Sequence, residues 1–204
     1  MARRFTLPKL VVATHNPGKA TEISSMLLPF GVEIVSAADL GLAAPPETGK
    51  TFEANARLKA LAATRASKLP VLADDSGLSV LALDGKPGVH TADWEGPTRD
   101  AMVGMRRIQD ELGARSVPPT DAARAATFHC VLALAWPDEH VELVHGTLAG
   151  SIVWPPRGHG GHGYDPCFQP AGETRTTAEM SDVEKNAISH RGRAFRKLVQ
   201  ACFE

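Results

Sequence analysis

Residues 9–28 read KLVVATHNPGKATEISSMLL and set the fold class of this 204-residue chain. The apolar run Lys9–Ala13 predicts a short buried strand. A polar turn follows at residues 14–19, and the apolar spacing after it predicts a helix over residues 20–28. A strand that leads through a tight loop into a helix is typical of α/β folds.

Strands and helices alternate along the first half of the chain, and a hairpin follows. The predicted elements are strands at 32–35, 71–73 and 78–81, helices at 52–67 and from 98 or 100 to 113, and a last helix that begins near Ser181. Thr51 is the predicted N-cap of the first of these helices, and Ser181 with Glu184 forms a capping-box pattern. Apolar segments at 127–136 and 140–149 flank a Pro-Asp-Glu turn and predict the hairpin. The sequence therefore predicts an α/β fold with a mixed sheet, not a purely parallel one.

The length of 204 residues favours a single domain over residues 1–204, or one domain with two lobes. The 43% hydrophobic content is ample for a core, and the formal net charge of −1 gives no general attraction to nucleic acid or to membrane surfaces. No segment approaches the length of a membrane span, and no signal peptide is expected. Three widely spaced cysteines favour free thiols in the cytoplasm over a disulfide framework.

The loop at residues 14–19 has the features of an anion-binding loop. Backbone N–H groups at the start of a helix, together with the helix dipole, favour negative charge, and Lys19 adds a positive side chain. The GxxxxGK[ST] pattern of kinases and GTPases is missing from the sequence. Taken alone, the motif also fits a plain turn followed by a solvated lysine.

An acidic pair, Asp74-Asp75, follows the predicted strand at 71–73. Adjacent strand residues point in opposite directions, so one aspartate can face a site while the other braces the loop. Magnesium is held by one or two carboxylates plus substrate phosphates, and Glu47 is a candidate second carboxylate. The alternative is a polar turn formed by Asp75-Ser76-Gly77.

The run at residues 158–191 begins rich in glycine and ends with Lys185, His190 and Arg191, which suit a phosphorylated ligand or a base edge. On one straight helix, the last two residues lie roughly 140° and 240° around the axis from Lys185. We therefore expect the helix to break near Ser189, which would cap a second helix. The alternatives are that only some of the three residues contact the ligand, or that the segment is a solvated amphipathic helix.

Together these segments resemble the inosine triphosphate pyrophosphatase family, which hydrolyses deaminated purine nucleoside triphosphates to the monophosphate and pyrophosphate. The resemblance implies an elongated central mixed sheet flanked by helices, two lobes with the active site in the cleft between them, Mg²⁺ as cofactor, and a homodimer. The matching segments, in family order, are ATHNPGK (13–19), ETGKTFEANARLKA (47–60), LADDSGLSVLALDGKPGVHTA (72–92), FHCVLALA (128–135), GYDPCFQP (163–170), TAEM (177–180) and EKNAISHRGRA (184–194).

The resemblance also implies a role for each matched residue. Asp75 would be the general base and a magnesium ligand, Glu47 would hold the metal directly or through water, and Ser76 would touch the substrate. The triphosphate would be held by Thr14, His15, Asn16, Pro17, Gly18 and Lys19, with Lys59 as a further contact. The base pocket would be formed by His162, Gly163, Tyr164, Asp165, Lys185, His190 and Arg191.

One departure concerns the residue before the GYD segment. The family usually has a phenylalanine there that can stack on the base, and this chain has His162. A neutral imidazole can still stack with a smaller face, and its protonation would make binding depend on pH near neutrality.

The function implied by the resemblance is Mg²⁺-dependent hydrolysis of ITP, dITP and XTP, which cleanses the nucleotide pool and prevents their incorporation into DNA and RNA. A Maf-like pyrophosphatase with another base preference and a nucleotide-binding protein without turnover are the alternatives. Nucleic acid and membranes are not expected partners, since the chain has no basic excess and only 5% aromatic residues.

Overall fold

The computed structural model describes residues 2–14 and 17–204. Within them, no helix is both long and apolar enough to cross a membrane. The helices are α1 (Pro17–Leu27), α2 (Phe52–Ser67), α3 (Ala101–Ala114), α4 (Asp182–Ile188) and α5 (His190–Cys202). The strands are β1 (Lys9–Ala13), β2 (Glu33–Ser36), β3 (Val71–Val80), β4 (Pro87–Gly88), β5 (Ala125–Ala135), β6 (Val141–Ile152) and β7 (Phe168–Pro170).

The described residues form one seven-stranded sheet with the order β2-β1-β3-β5-β6-β7, and β4 pairs with β3 off this path. Strand β1 runs parallel to both β2 and β3, whereas β4 is antiparallel to β3 and β7 is antiparallel to β6. The predicted hairpin segments, β5 and β6, are neighbours in the sheet. The predicted α/β fold with a mixed sheet is therefore confirmed.

The chain divides into two compact units. The first comprises residues 1–75, 130–146 and 193–204, and the second comprises residues 76–129 and 147–192. Neither unit is continuous in sequence, because β3, β5, β6 and α5 each cross the boundary along the chain. The assignment of residues 1–204 to a single domain stays a prediction.

In the first unit, the strands send alternate side chains to two helical layers. Leu10 and Val12 of β1 lie in an apolar cluster with residues of α1 and α5. Val11 and Ala13 lie in a different cluster, whose helical side is formed by small residues of α2. The alanines of α2 therefore let that helix pack closely on the sheet, while the larger side chains of α1 fill the other face.

In the second unit, α3 supplies the helical side of the core. Met105, Ile108 and Leu112 recur at helical spacing and join one buried cluster with Phe128 and Phe168 of the sheet. The cap of α3 is Asp100, whose carboxylate accepts a hydrogen bond from the backbone N–H of Met102. The predicted helix over this region is confirmed, with its start at the later of the two predicted positions.

Strand β3 differs from the prediction of two strands separated by a polar turn. A single strand runs from Val71 to Val80 and includes Asp74-Asp75-Ser76-Gly77. A buried charge is tolerated only when it is paired, and both aspartates here meet a lysine ammonium group. The alternative of an Asp75-Ser76-Gly77 turn is therefore wrong.

The helix ends mostly follow the predicted capping chemistry. The Thr51 hydroxyl accepts from the N–H of Ala54 at 3.1 Å, and Ser181 and Glu184 form the expected reciprocal capping box. Helix α1 begins at Pro17, three residues before the predicted start, because a proline fits the first helical position.

The predicted break near Ser189 is confirmed. Helix α4 ends at Ile188, Ser189 adopts an extended conformation with ψ of 156°, and α5 begins at His190. The Ser189 hydroxyl accepts a hydrogen bond from the N–H of Gly192 at 3.0 Å, as an N-cap does. Gly192 is required at this junction, because a Cβ there would overlap the carbonyl oxygen of Asn186.

We expect Gly192→Ala to lower the free energy of unfolding by about 1–3 kcal/mol, because the added methyl group forces α4 and α5 apart. Gly113→Ala is the matched control: Gly113 also lies within a helix, and its Cβ would meet nothing within 4 Å. Gly113→Ala should leave the free energy of unfolding unchanged or raise it by about 0.5–1 kcal/mol, because alanine has the higher helix propensity. Urea unfolding measures both, and equal effects of the two substitutions would contradict the packing argument.

Candidate active site

Asp74 and Asp75 are adjacent on β3, and their exposed fractions are only 2% and 5%. Each carboxylate meets a different lysine: Asp74 Oδ2 lies 2.9 Å from Lys19 Nζ, and Asp75 Oδ1 lies 2.9 Å from Lys59 Nζ. Asp74 thus braces the first turn of α1, which directly follows residues 14–16. The opposite directions of neighbouring strand residues explain why the pair reaches two helices.

Lys59 connects Asp75 to a third carboxylate. Its Nζ donates to Asp75 Oδ1 at 2.9 Å and to Glu47 Oε1 at 3.2 Å. The loop that carries Glu47 is held by buried Asn55, whose side-chain oxygen accepts from the N–H of Gly49 at 2.8 Å. The predicted residues Glu47, Lys59 and Asp75, distant in sequence, are therefore brought together in the first unit.

The pKa values in this group reflect a competition between burial and pairing. Burial raises the pKa of the Asp75 carboxyl, and the ammonium group of Lys59 offsets only part of that effect. Burial alone would lower the pKa of Lys59, but the carboxylates of Asp74, Asp75 and Glu47 outweigh it and raise that pKa. Lys59 therefore stays cationic, while Asp75 is easier to protonate than an exposed aspartate.

The second oxygen of Asp75, Oδ2, differs from Oδ1 in having no hydrogen-bond donor among the residues that the structure describes. It is buried and receives no hydrogen bond from any residue in the described part of the chain, while Oδ1 is held by Lys59. A buried carboxylate oxygen without a donor is unfavourable unless a proton, a water molecule or a cation approaches it. Oδ2 can therefore accept a proton or bind a cation without breaking the Lys59 contact.

The donor set fits a magnesium ion that keeps part of its water. Asp74, Asp75 and Glu47 carry three negative charges against the two positive charges of Lys19 and Lys59, so the group retains one excess negative charge. Across residues 2–14 and 17–204, no cluster of three or more His, Cys, Asp or Glu side chains is arranged to hold a metal ion alone. A hard ion bound by Asp75 and Glu47 would complete its coordination with water and phosphate oxygens.

In the second unit, Asp165 organises the glycine-rich segment and the start of α4. Its Oδ2 accepts from Lys185 Nζ at 2.9 Å and from the backbone N–H of His162 at 2.8 Å, and its Oδ1 accepts from the Thr177 hydroxyl at 2.8 Å. Asp165 and Lys185 are both about 4% exposed. The predicted residues His162, Asp165 and Lys185 therefore share one buried hydrogen-bond network. Thr177 also belongs to this network and was not predicted.

Tyr164 packs into the core of the second unit. Its ring is 3% exposed, and its hydroxyl donates to the carbonyl oxygen of Thr91 at 2.9 Å. Burial raises the pKa of this phenol well above its ordinary value, so it stays protonated as a donor. Gly163 precedes it with a φ of 63°. Direct contact of these two residues with a ligand stays a prediction.

His190 and Arg191 begin α5, directly after the helix break, and both are buried. The His190 imidazole stacks on Phe128, with ring centroids 4.8 Å apart and an interplanar angle of 20°. Lys185 therefore lies on α4, and His190 and Arg191 lie on α5, as expected from their angular positions on a single straight helix.

The remaining predicted residues lie at the start of the chain and on β3. Thr14 is half-buried after β1, Ser76 is half-buried on β3, and Lys19 is in the first turn of α1. Pro17 and Gly18 are described as the backbone start of α1, and His15 and Asn16 lie outside the described residues. Their predicted contacts with a ligand stay predictions.

The supporting residues Asn55, Asp74, Thr177 and Phe128 were not predicted as site residues, although each lies in a segment matched to the family. Asp74 carried the clearest signal, since a second acidic residue beside Asp75 needs a cation of its own when both are buried.

We expect the stability of Asp75→Asn, relative to the native protein and without metal, to increase from pH 4 to pH 8. A carboxyl whose folded-state pKa is raised contributes stability at low pH that is lost as pH rises through that pKa, and asparagine removes this loss. Asp84→Asn is the control: Arg115 lowers the pKa of exposed Asp84, so its titration lies below this range. Thermal unfolding in EDTA measures both; a flat difference for Asp75→Asn would contradict the raised pKa.

Known proteins match this chain over nearly its whole length. A dITP/XTP pyrophosphatase of Bradyrhizobium diazoefficiens is 52% identical over 211 aligned residues, which cover 100% of this chain and 99% of that protein. A dITP/XTP pyrophosphatase of Gluconobacter oxydans is also 52% identical, over 96% of this chain and 91% of its own length.

Solved structures agree with the sequence relatives. A HAM1 protein from Coxiella burnetii superposes with a TM-score of 0.87 at 35% identity, over 95% of this chain and 98% of that one. A nucleoside-triphosphatase, also described as a dITP/XTP pyrophosphatase, from Mycobacterium abscessus gives a TM-score of 0.75 at 41% identity, over 94% and 98% of the two chains. Residues 10–201 match the Ham1 family as a whole, and the chain belongs to that family.

Proposed function

We propose that this protein is a Mg²⁺-dependent nucleoside triphosphate pyrophosphatase that hydrolyses ITP, dITP and XTP to the monophosphate and pyrophosphate. Its enzyme class follows from full-length relatives that are dITP/XTP pyrophosphatases. The observation that carries the chemistry is the buried Oδ2 of Asp75, held in place through Lys59 and Glu47.

Asp75 acts as the general base in this proposal. The leaving group is pyrophosphate, so water attacks the α-phosphorus and gives up a proton as it does so. Lys59 fixes Oδ1, which leaves Oδ2 as the oxygen that takes this proton. The raised pKa of Asp75 makes it a stronger base than an exposed aspartate.

Glu47 and Asp75, directly or through water, would hold the magnesium ion, which would supply positive charge against the phosphate oxygens. Lys19 and the backbone N–H groups at the start of α1 stabilise the charge that develops on the departing pyrophosphate. Asp74 orders Lys19 through their 2.9 Å ion pair, so this positive charge is already in place before the reaction begins.

His190 and Arg191 select the base. Hypoxanthine and xanthine present a carbonyl acceptor at the 6-position, which suits these donors, whereas adenine presents an amino group that would leave them unpaired. A site built to hydrogen-bond one group rejects its analogue strongly. Guanine also carries the 6-carbonyl, so its rejection must depend on the surroundings of its 2-amino group.

The biological role that follows is removal of deaminated purine nucleotides from the pool before they enter DNA and RNA. This role places the protein in the cytoplasm. The homodimer implied by the family resemblance is likewise part of the proposal.

We expect fast pyrophosphate release from ITP, XTP and dITP with magnesium, little release from GTP or ATP, and none in EDTA. Coupled pyrophosphate detection across these five nucleotides is the measurement. A preference for other bases would keep the chemistry and overturn the substrate assignment. Nucleotide binding without any release would favour a binding protein.

We expect Asp75→Asn to lower kcat for ITP by roughly 10²–10⁴-fold, the contribution of a positioned general base, while nucleotide binding persists. Asp84→Asn is the control, since Asp84 is exposed and paired with Arg115 in the second unit. Single-turnover hydrolysis and equilibrium binding of ITP separate the two effects. Native-like turnover by Asp75→Asn would remove Asp75 from this role.

A further inference from the structure

We propose that Phe128 is a positioning residue that sets the plane of the His190 imidazole and, through it, the base selectivity of the enzyme. The selectivity part of this inference rests on the proposed function, in which His190 contacts the purine edge. The positioning part rests on geometry alone and has its own test.

The contact is a stack of two nearly parallel rings inside the protein. The two ring centroids are 4.8 Å apart with an interplanar angle of 20°, and the exposed fractions are 8% for His190 and 7% for Phe128. The second side-chain torsion of histidine is broad, so a helix backbone alone does not fix the plane of its ring. A flat aromatic surface packed against one face of the imidazole does fix it.

The backbone of His190 is fixed separately. Ser189 ends α4 and caps α5, and the close approach of Gly192 to Asn186 holds the two helices together at this point. With the backbone held, the packing of Phe128 against the imidazole restricts rotation of the ring.

Phe128 is itself held rigidly. Its ring lies 4.2 Å, centroid to centroid, from that of Phe168, which is fully buried on β7. The neighbouring strand β6 has Gly150 there, and a Cβ at that position would lie 2.7 Å from the Phe168 ring. Phe168 therefore occupies space that only a glycine leaves, and the ring contacts from Phe168 through Phe128 to His190 begin in the core of the sheet.

A fixed imidazole plane matters for selectivity because hydrogen bonds are directional. An N–H group prefers a donor angle above about 150° and weakens steeply below about 120°. Loosening the ring would weaken recognition of a 6-carbonyl and lower the penalty for a base that lacks it. The phosphate chemistry around Asp75 uses none of these groups, so the effect should fall on KM and selectivity more than on kcat.

The test is Phe128→Leu, which removes the aromatic face. We expect KM for dITP to rise by about tenfold and the preference for ITP over ATP to fall by a similar factor, with kcat changed less than threefold. Phe5→Leu is the matched control: Phe5 is 8% exposed and stacks on Phe203, but it lies in the first unit. Phe5→Leu should lose stability and keep the selectivity.

The second readout does not depend on activity. The His190 ring is stacked on the Phe128 ring, so the ring current of Phe128 should shift the NMR signals of the His190 ring protons. Phe128→Leu should abolish this shift, whereas Phe5→Leu and Phe128→Tyr, which keep the ring beneath His190, should preserve it. Phe128→Met, whose flexible side chain can fill an irregular gap, carries the same test should leucine unfold the protein.

The outcomes separate this inference from the proposed function. A selective native enzyme whose Phe128→Leu variant keeps the native KM and selectivity would overturn the positioning role and leave the function standing. A native protein that hydrolyses none of the nucleotides would overturn the function, and the NMR shift would still show whether Phe128 packs on the His190 ring. Equal losses of selectivity in Phe128→Leu and Phe5→Leu would show that Phe128 acts only through core packing, which would overturn the positioning role.

Discussion

Two adjacent buried carboxylates on a central strand need two cations, and this requirement links the sheet of the first unit to its helices. Asp74 shares its strand face with Leu72, whose apolar cluster includes α1, and it pairs with Lys19 of that helix. Asp75 shares its face with Val71 and Ala73, whose cluster includes α2, and it pairs with Lys59 there. The strand alternation that builds the two apolar layers therefore also delivers one lysine to each carboxylate.

The same pairing leaves the negative charge of Asp75 only partly compensated. Full neutralisation would make Asp75 an ordinary ion-pair partner with a lowered pKa, yet burial outweighs Lys59 and raises it. One of its oxygens is held and the other is buried without a donor among the described residues. Active sites commonly retain such unfavourable groups because function needs them, and the surrounding packing of β3 offsets the loss.

Much of this architecture was predictable, because it depends on local patterns. Helix α2 with its Thr51 cap, the capping box at Ser181 and the break at Ser189 all follow from side chains that bond to nearby backbone groups. Strand β3 was predicted as two pieces, since the lysines that permit its buried aspartates are distant in sequence. Strands β4 and β7, with two and three residues, are too short for periodicity to reveal. The stack of Phe128 on His190 joins residues 62 positions apart and had no sequence signal.

The contact between His162 and Asp165 uses the backbone of His162, where the family usually has a phenylalanine. Asp165 accepts from the backbone N–H of His162, and its other contacts come from Lys185 and Thr177. Every residue except proline offers that N–H, so this contact in the glycine-rich segment does not require a particular side chain at position 162. Exchange of a phenylalanine for histidine therefore preserves the Asp165 network. Any consequence of the exchange falls on what the side chain itself contacts, which under the proposed function is the purine base and not the phosphates.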